Sequence, residues 1–366
     1  MARRWSSSSG EVRVPAAPPL PSDIGYEMVR HLRGERPVHT DSEPTVSKDP
    51  VQRASTEPSG LRHDAYFYDS RARYVADLLA FVRPGIAGRE PVLIAVPGPH
   101  LDLLQAELSA AETRQVRMHD MADIGRNPGR IIGLLSAFVL EQRAAARFRI
   151  VSEAVWPDRT DQEYTACVEH EALLNVALAE VPAHVVCPYD TVHLPPGTLS
   201  DAARTHPTLT RGAERRDSPP YADPHTTAAL SDHPLSAPPE NAEIVVVNTI
   251  TGPRTARRFA YEFGKRVKLP AARLDPLMIT VHELAVNTIL HGGGAGLMSL
   301  WTTDHDLVVQ IDDGGRITDP LVGRRPPGPS EMGHGLHVVH QVADLVRVHR
   351  GGDGTTVRVC FRLSAG

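Results

Sequence analysis

The sequence predicts two domains, an α/β domain with a mainly parallel sheet followed by an α+β domain in which helices cover one sheet. Between residues 61 and 210, strand-like runs of five or six residues (91–96, which is all-apolar, 148–152 and 183–187) alternate with helical patterns. That is the texture of parallel strands buried on both faces. A stretch rich in Pro, Asp and Ser at 211–239 then interrupts the pattern and reads as a linker, semi-rigid where prolines cluster. Beyond it the order changes to strand, two helices, two strands, helix and two strands, closed by the hairpin signal HRGGDG.

Residues 1–57 are rich in Ser, Pro and charge and lack a sustained apolar period, which predicts disorder, with one short helical pattern at 24–32. The first domain occupies 58–210. Tyr66, Tyr68, Tyr74, Leu78 and Val82 read as a helix leading to a break at Pro84 and Gly85. Strand 91–96, helix 101–108, strand 115–121, helix 130–146, strand 148–152, helix 161–179, strand 183–187 and helix 199–205 follow. Ligands of such sheets bind beyond the carboxyl ends of the strands. That rule singles out Asp120, Glu153, Trp156, Tyr189 and Asp190, with Arg126 and Asn127 in a loop, as a sensory crevice with one aromatic wall. Ordinary loop capping and salt-bridging is the competing reading. Cys167 and His170, three apart on one helix, read as a core cysteine and a surface histidine, since no two further ligands lie near them.

The second domain spans 240–366. Its central helix is expected to begin at Asp275 as N-cap with Pro276 in the first helical position, and to stop at Gly292, Gly293 and Gly294. Glu283, Asn287 and His291 recur every four residues and so share one side of it. A carboxylate and an amide oxygen one turn apart suit Mg²⁺, completed by waters and substrate phosphates; a solvated polar stripe is the plain alternative. His282 lies off that side and reads as structural or solvent-facing. LVVQIDDGG at 307–315 is a buried strand ending in an acidic-glycine turn, and alternation leaves open whether Asp312 or Asp313 points inward. GHGL at 333–336 opens a further helix, where glycines let backbone N–H groups approach an anion. GTTVR at 354–358 lies in the last strand.

In this order the motifs resemble the GHKL ATPase superfamily, and within it the histidine-kinase-like ATPase domains of anti-sigma regulatory factors of the serine-kinase type, over residues 238–363. The resemblance implies the GHKL or Bergerat α+β sandwich, with ATP and Mg²⁺ as cofactors. Glu283 then corresponds to the catalytic carboxylate, Asn287 to the metal ligand and Asp313 to the reader of the adenine amine, with Gly315 as the close-approach glycine. His291 and Thr356, with Thr355 beside it, would lie near the nucleotide. Arg324 and Arg325 would belong to a lid at 318–332, and Gly333 and Gly335 would approach the phosphates. Ile317 departs from the family pattern, standing where D-x-G-x-G has its second glycine. The implied activity is phosphorylation of a serine or threonine on an anti-sigma-factor antagonist, and the implied partner is that antagonist or a sigma-factor-type protein. A nucleotide-dependent switch that sequesters a transcription regulator is the second reading. An orphan histidine kinase is the third, and no phosphoacceptor helix precedes the domain.

The first domain, through HDAYFYDSRARYVADLLAFVRPGIAGREPVLIAV, IGRNPGRII, IVSEAVWPDRT and EHEALLN, resembles the MEDS sensory module of methanogen and methylotroph regulators over residues 61–209. That implies a fold related to the P-loop ATPases and a small ligand as partner. The loop after Val96 reads PGPHLD, with no GxxxxGK[ST], so nucleotide hydrolysis is not expected there. A net charge of −5 gives no pull toward nucleic acid or anionic membrane. Three cysteines make no disulfide framework, and the longest apolar run, 131–140, is too short to span a bilayer. A cytoplasmic protein is expected, with a homodimer left open.

Overall fold

A computed structural model of the chain describes residues 60–248, 252–326 and 334–363. The segment expected to be disordered and Gly333 lie outside the described residues. In order, the first half contains β1 (Arg62–Tyr68), α1 (Arg71–Ala87), β2 (Val92–Val96), α2 (Gly98–Glu107), α3 (Ala110–Thr113), β3 (Val116–Asp120) and α4 (Met121–Ile124). A 3₁₀ turn at Pro128–Arg130 leads into α5 (Ile131–Glu141), β4 (Phe148–Ser152), α6 (Asp161–Ala177), β5 (Ala183–Asp190) and α7 (Pro196–Thr205). Then come β6 (Thr208–Arg211), β7 (Glu214–Asp217) and α8 (Pro224–Leu230).

These strands form one sheet in the order β3-β2-β4-β5-β1-β6-β7, parallel except for the β6–β7 hairpin. β1 is a correction to the expected helix. Tyr66 and Tyr68 alternate out of this strand toward α1, while Ala65 faces the opposite core. The helix starts only after Ser70, whose hydroxyl accepts from the Arg73 N–H, and it runs through Pro84 to Ala87. The stretch expected as a linker also carries structure. β7, which pairs with β6 at the start of this stretch, ends the sheet beyond β1, and α8 is capped by Asp223, which accepts from the Thr226 N–H at 2.8 Å. Pro224 at the first helical position and Ala228 in the core hold α8 to the domain.

The second half contains β8 (Glu243–Val247), α9 (Gly252–Arg266), α10 (Ala271–His291), β9 (Gly296–Thr302), β10 (Asp306–Asp313), α11 (His334–Val342), β11 (Leu345–Gly351) and β12 (Gly354–Arg362). The sheet runs β11-β12-β10-β9-β8 and is antiparallel throughout. α10 begins a turn earlier than expected, at Ala271, and carries Pro276 inside it. The apolar sides of the three helices bury Ala260, Leu284, Ala285 and Val339 against Val309, Ile311 and Phe361 of the sheet. Each large apolar side chain removed from water contributes roughly 1.5–3 kcal/mol. The other face of this sheet is covered by the first domain: Trp301, Val308, Leu345 and Cys360 close on Ala166 of α6. Both sheets belong to one compact unit. Among the described residues no helix is long and apolar enough to cross a membrane.

Candidate functional site

α10 carries its polar side chains into a cleft between itself, β10 and the start of α11. Asn287, His291, Asp313, Gly315, Ile317, Leu336 and Thr355 are among the residues that line it. Glu283, one turn before Asn287, faces Gly335. A Cβ at Gly335 would stand 2.5 Å from Glu283 Oε2 and 3.5 Å from both terminal atoms of the Asn287 amide. Glycine at this point lets the α11 backbone press onto the two polar groups. The carboxylate, the amide and the glycine helix therefore meet in three dimensions.

β10 settles which aspartate faces the cleft. Asp313 accepts from Thr288 Oγ1 at 2.7 Å and from the Gly315 N–H at 2.9 Å, so its carboxylate lies under the end of α10. Asp312 turns the other way, accepting from Gln310 Nε2 at 3.0 Å and from Thr356 Oγ1 at 2.6 Å. The same alternation corrects the expected hydroxyl. Thr356 is on Asp312's face, whereas Thr355 is buried in the cleft and donates to the Gly315 carbonyl at 2.8 Å. His282 is half-buried, and its Nδ1 is shielded with no hydrogen-bond partner. The cleft encloses only about 60 Å³, far below the roughly 300–1,000 Å³ of pockets that hold small molecules. Leu336 and Ile317 are among its apolar walls. A larger groove, about 680 Å³, lies elsewhere, between the start of α6 and the outer face of the second sheet.

Arg324 is not in the cleft. It is buried and ion-paired with Glu169 of α6, which Arg350 also approaches at 3.4 Å. Leu321, three residues earlier, packs into the core of the first domain. Arg325 is half-exposed, 3.7 Å from Asp319. The described part of the expected lid is thus bound to the first domain, because a buried guanidinium needs a carboxylate and Glu169 supplies it.

Arg126 and Asn127, expected in a sensory crevice, also face the second domain or its border. Asn127 Nδ2 donates to the His340 carbonyl at 2.9 Å, and Arg130 donates to the carbonyls of His340 and Ala343. They satisfy carbonyls at the end of α11 that the helix itself leaves unbonded, and place a cation at the negative end of its dipole. Gly129 and Gly133 let this turn approach α11 and the lid backbone. Arg126 lies 3.3 Å from Glu163.

The other expected crevice residues are separated from these. Buried Glu153 accepts from Tyr74 Oη at 2.8 Å and Tyr68 Oη at 3.4 Å and pairs with His100 Nδ1 at 2.9 Å. Burial opposes protonation of His100, but the hydrogen bond and charge of Glu153 prevail and raise its pKa above the ordinary value. Asp120 caps α4, Asp190 caps the turn after β5, and Tyr189 is buried. Trp156 lies under the Arg159 guanidinium, 3.5 Å from its ring centre. His170, expected at the surface, is fully buried with neither ring nitrogen hydrogen-bonded, and burial lowers its pKa to about 4.

Residues 62–207 match the family model described as MEDS, the MEthanogen/methylotroph, DcmR Sensory domain. Residues 248–361 match the model described as the histidine kinase-like ATPase domain. No curated protein matches the chain. A solved structure of the RsbU and RsbW domains of Rv1364c from Mycobacterium tuberculosis is similar at 17% identity and a TM-score of 0.27, covering 34% of this chain. This chain spans only 33% of the length of that one.

Proposed function

We propose, for a chain that joins an N-terminal MEDS sensory domain to a C-terminal GHKL-type histidine kinase-like ATPase domain, that it is an ATP-dependent serine/threonine kinase of an anti-sigma-type switch. In this reading the first domain controls phosphorylation of a partner antagonist by the second. The convergence of Glu283, Asn287 and Gly335 carries the reading. Asn287 would help hold a Mg²⁺ ion, which would supply positive charge against the phosphates, and the first turn of α11 would receive phosphate charge. Asp313 would accept from the adenine amine, which guanine replaces with an oxygen. Glu283 would take the proton as the partner's hydroxyl oxygen bonds the terminal phosphorus and the bond to the bridging oxygen breaks, releasing ADP. The narrow cleft favours a second reading, a switch that sequesters its partner without transferring phosphate.

Two measurements test the nucleotide site. In calorimetry on the full chain, ATP should bind more tightly with Mg²⁺ than with EDTA, and Asn287→Ala should remove most of that difference. Equal affinity in both buffers would take Asn287 out of the metal role. Asp313→Asn should weaken ATP binding about tenfold or more and narrow the gap to GTP, the worth of a charge-assisted hydrogen bond. Asp312→Asn, on the opposite face, should do neither; the reverse outcome would refute the assignment of Asp313 to adenine. Transfer of labelled phosphate to a bound partner separates kinase from switch.

A further inference from the structure

We propose that the first domain holds a divalent transition-metal ion of the zinc class between His63, Glu171, Cys187 and His206. These residues come from β1, α6, β5 and the residue after α7, and all four are buried. Among the described residues they form a group whose ligand atoms all lie within 4.8 Å of one another.

Four of the six distances between the ligand atoms match the edges of a coordination tetrahedron, and the other two lie within 4.8 Å. His63 Nε2 lies 3.3 Å from Cys187 Sγ and 3.3 Å from Glu171 Oε2. Glu171 Oε2 lies 3.5 Å from Cys187 Sγ and 3.4 Å from His206 Nε2. Zinc bonds of about 2.0–2.1 Å to nitrogen or oxygen and about 2.3 Å to sulfur give tetrahedron edges of about 3.3–3.6 Å.

The hydrogen bonds around the group set the tautomers. His206 Nδ1 lies 2.8 Å from the Ala202 carbonyl, which can only accept, and 2.9 Å from Thr205 Oγ1, whose proton has the Asp201 carbonyl at 3.0 Å; this arrangement suits a proton on Nδ1. His63 Nδ1 faces Asn175 Oδ1 at 3.1 Å, and the Asn175 amide nitrogen donates to the Thr205 carbonyl at 2.8 Å, which fixes the amide's orientation. His63 Nδ1 therefore also donates. In their neutral forms both imidazoles turn an Nε2 lone pair toward a carboxylate and a sulfur. His206 Nε2 and Glu171 Oε1 are buried with no hydrogen-bond partner. Two neutral imidazoles, a thiolate and a carboxylate sum to −2, which a divalent ion cancels in a site closed to water. Four protein ligands leave no open position, which marks a structural or sensing ion rather than a catalytic one. The mixed sulfur, nitrogen and oxygen set disfavours Mg²⁺ and Ca²⁺.

The test uses the full-length chain. Elemental analysis after purification without chelators should find about one equivalent of divalent metal per chain. Protein stripped of metal and titrated with Co²⁺ should show the strong visible bands of four-coordinate cobalt together with a thiolate-to-cobalt charge-transfer band. Cys187→Ser should lose the charge-transfer band, while Cys167→Ser and Cys360→Ser retain it. Asn175→Ala, which removes the partner of His63 and the bond to the Thr205 carbonyl beside His206 but no ligand, should weaken cobalt affinity by about 10–100-fold. Far-ultraviolet circular dichroism identifies any variant that has not folded, and the wild-type titration stands independently of the variants. Stripped wild-type protein that takes up no Co²⁺, or takes it up without a thiolate band, would show a proton-linked cluster instead and overturn the assignment. So would a charge-transfer band that persists in Cys187→Ser.

Discussion

Glu283→Gln should leave ATP affinity within a few-fold and lower phosphate transfer to the partner by about 10²–10⁴-fold. A group needed only while the hydroxyl attacks contributes to the transition state and little to the bound ground state. Glutamine keeps the length and helix-forming tendency of the side chain and removes its basicity. The contact with Gly335 depends on side-chain size, so it survives the substitution. Asn287 and Asp313, the proposed binding groups, are untouched. Single-turnover transfer from labelled Mg²⁺-ATP to a saturating partner is the measurement. If the wild type binds Mg²⁺-ATP but transfers nothing to any bound partner, and Glu283→Gln sequesters the partner as before, the chain is a clamp and not a kinase.

The second large effect concerns Arg324 and the loop expected to act as a lid. Glu169→Gln removes the carboxylate that holds Arg324 and that Arg350 also approaches. Breaking one side of a buried ion pair costs about 3–5 kcal/mol, so the variant should unfold at a visibly lower temperature. If the pair holds the lid away from the nucleotide, ATP affinity should rise at the same time, within the roughly 5–150-fold range of inter-site coupling. Leu135→Ala, in the core of the first domain, supplies the control. It should lower stability by a comparable 2–5 kcal/mol without changing ATP affinity. A Glu169→Gln protein that is less stable yet binds ATP no more tightly would disconnect the ion pair from the cleft.

What the sequence revealed follows from how local each signal is. Glu283, Asn287 and His291 declare a common side because helical geometry alone fixes it. Asp313 and Thr355 could not be separated from Asp312 and Thr356, because a shift of one residue along a strand reverses every face. Only the pairing of β10 with β12 and the contacts to Thr288 and Gly315 decide. β1 was hidden for another reason: a strand buried on both faces lacks a clean alternation, and its tyrosines run straight into those of α1. In 211–239 the prolines suggested a spacer, although Asp223 followed by Pro224 is a sound helix start. Contacts such as Asn127 with His340, and the four-residue group at His63, join distant parts of the chain. No window of sequence displays them.

The order of synthesis gives the covered face of the second sheet a further meaning. Trp301, Val308, Leu345 and Cys360 leave the ribosome after α6, the helix they pack on. N-terminal domains generally fold first during translation, and in that order these side chains would emerge onto a surface already formed. The same residues in a fragment starting near Glu243 would have no such surface and would remain an open apolar patch, the kind that drives association. An unrelated module put in place of the first domain would have to supply a surface for these side chains as well.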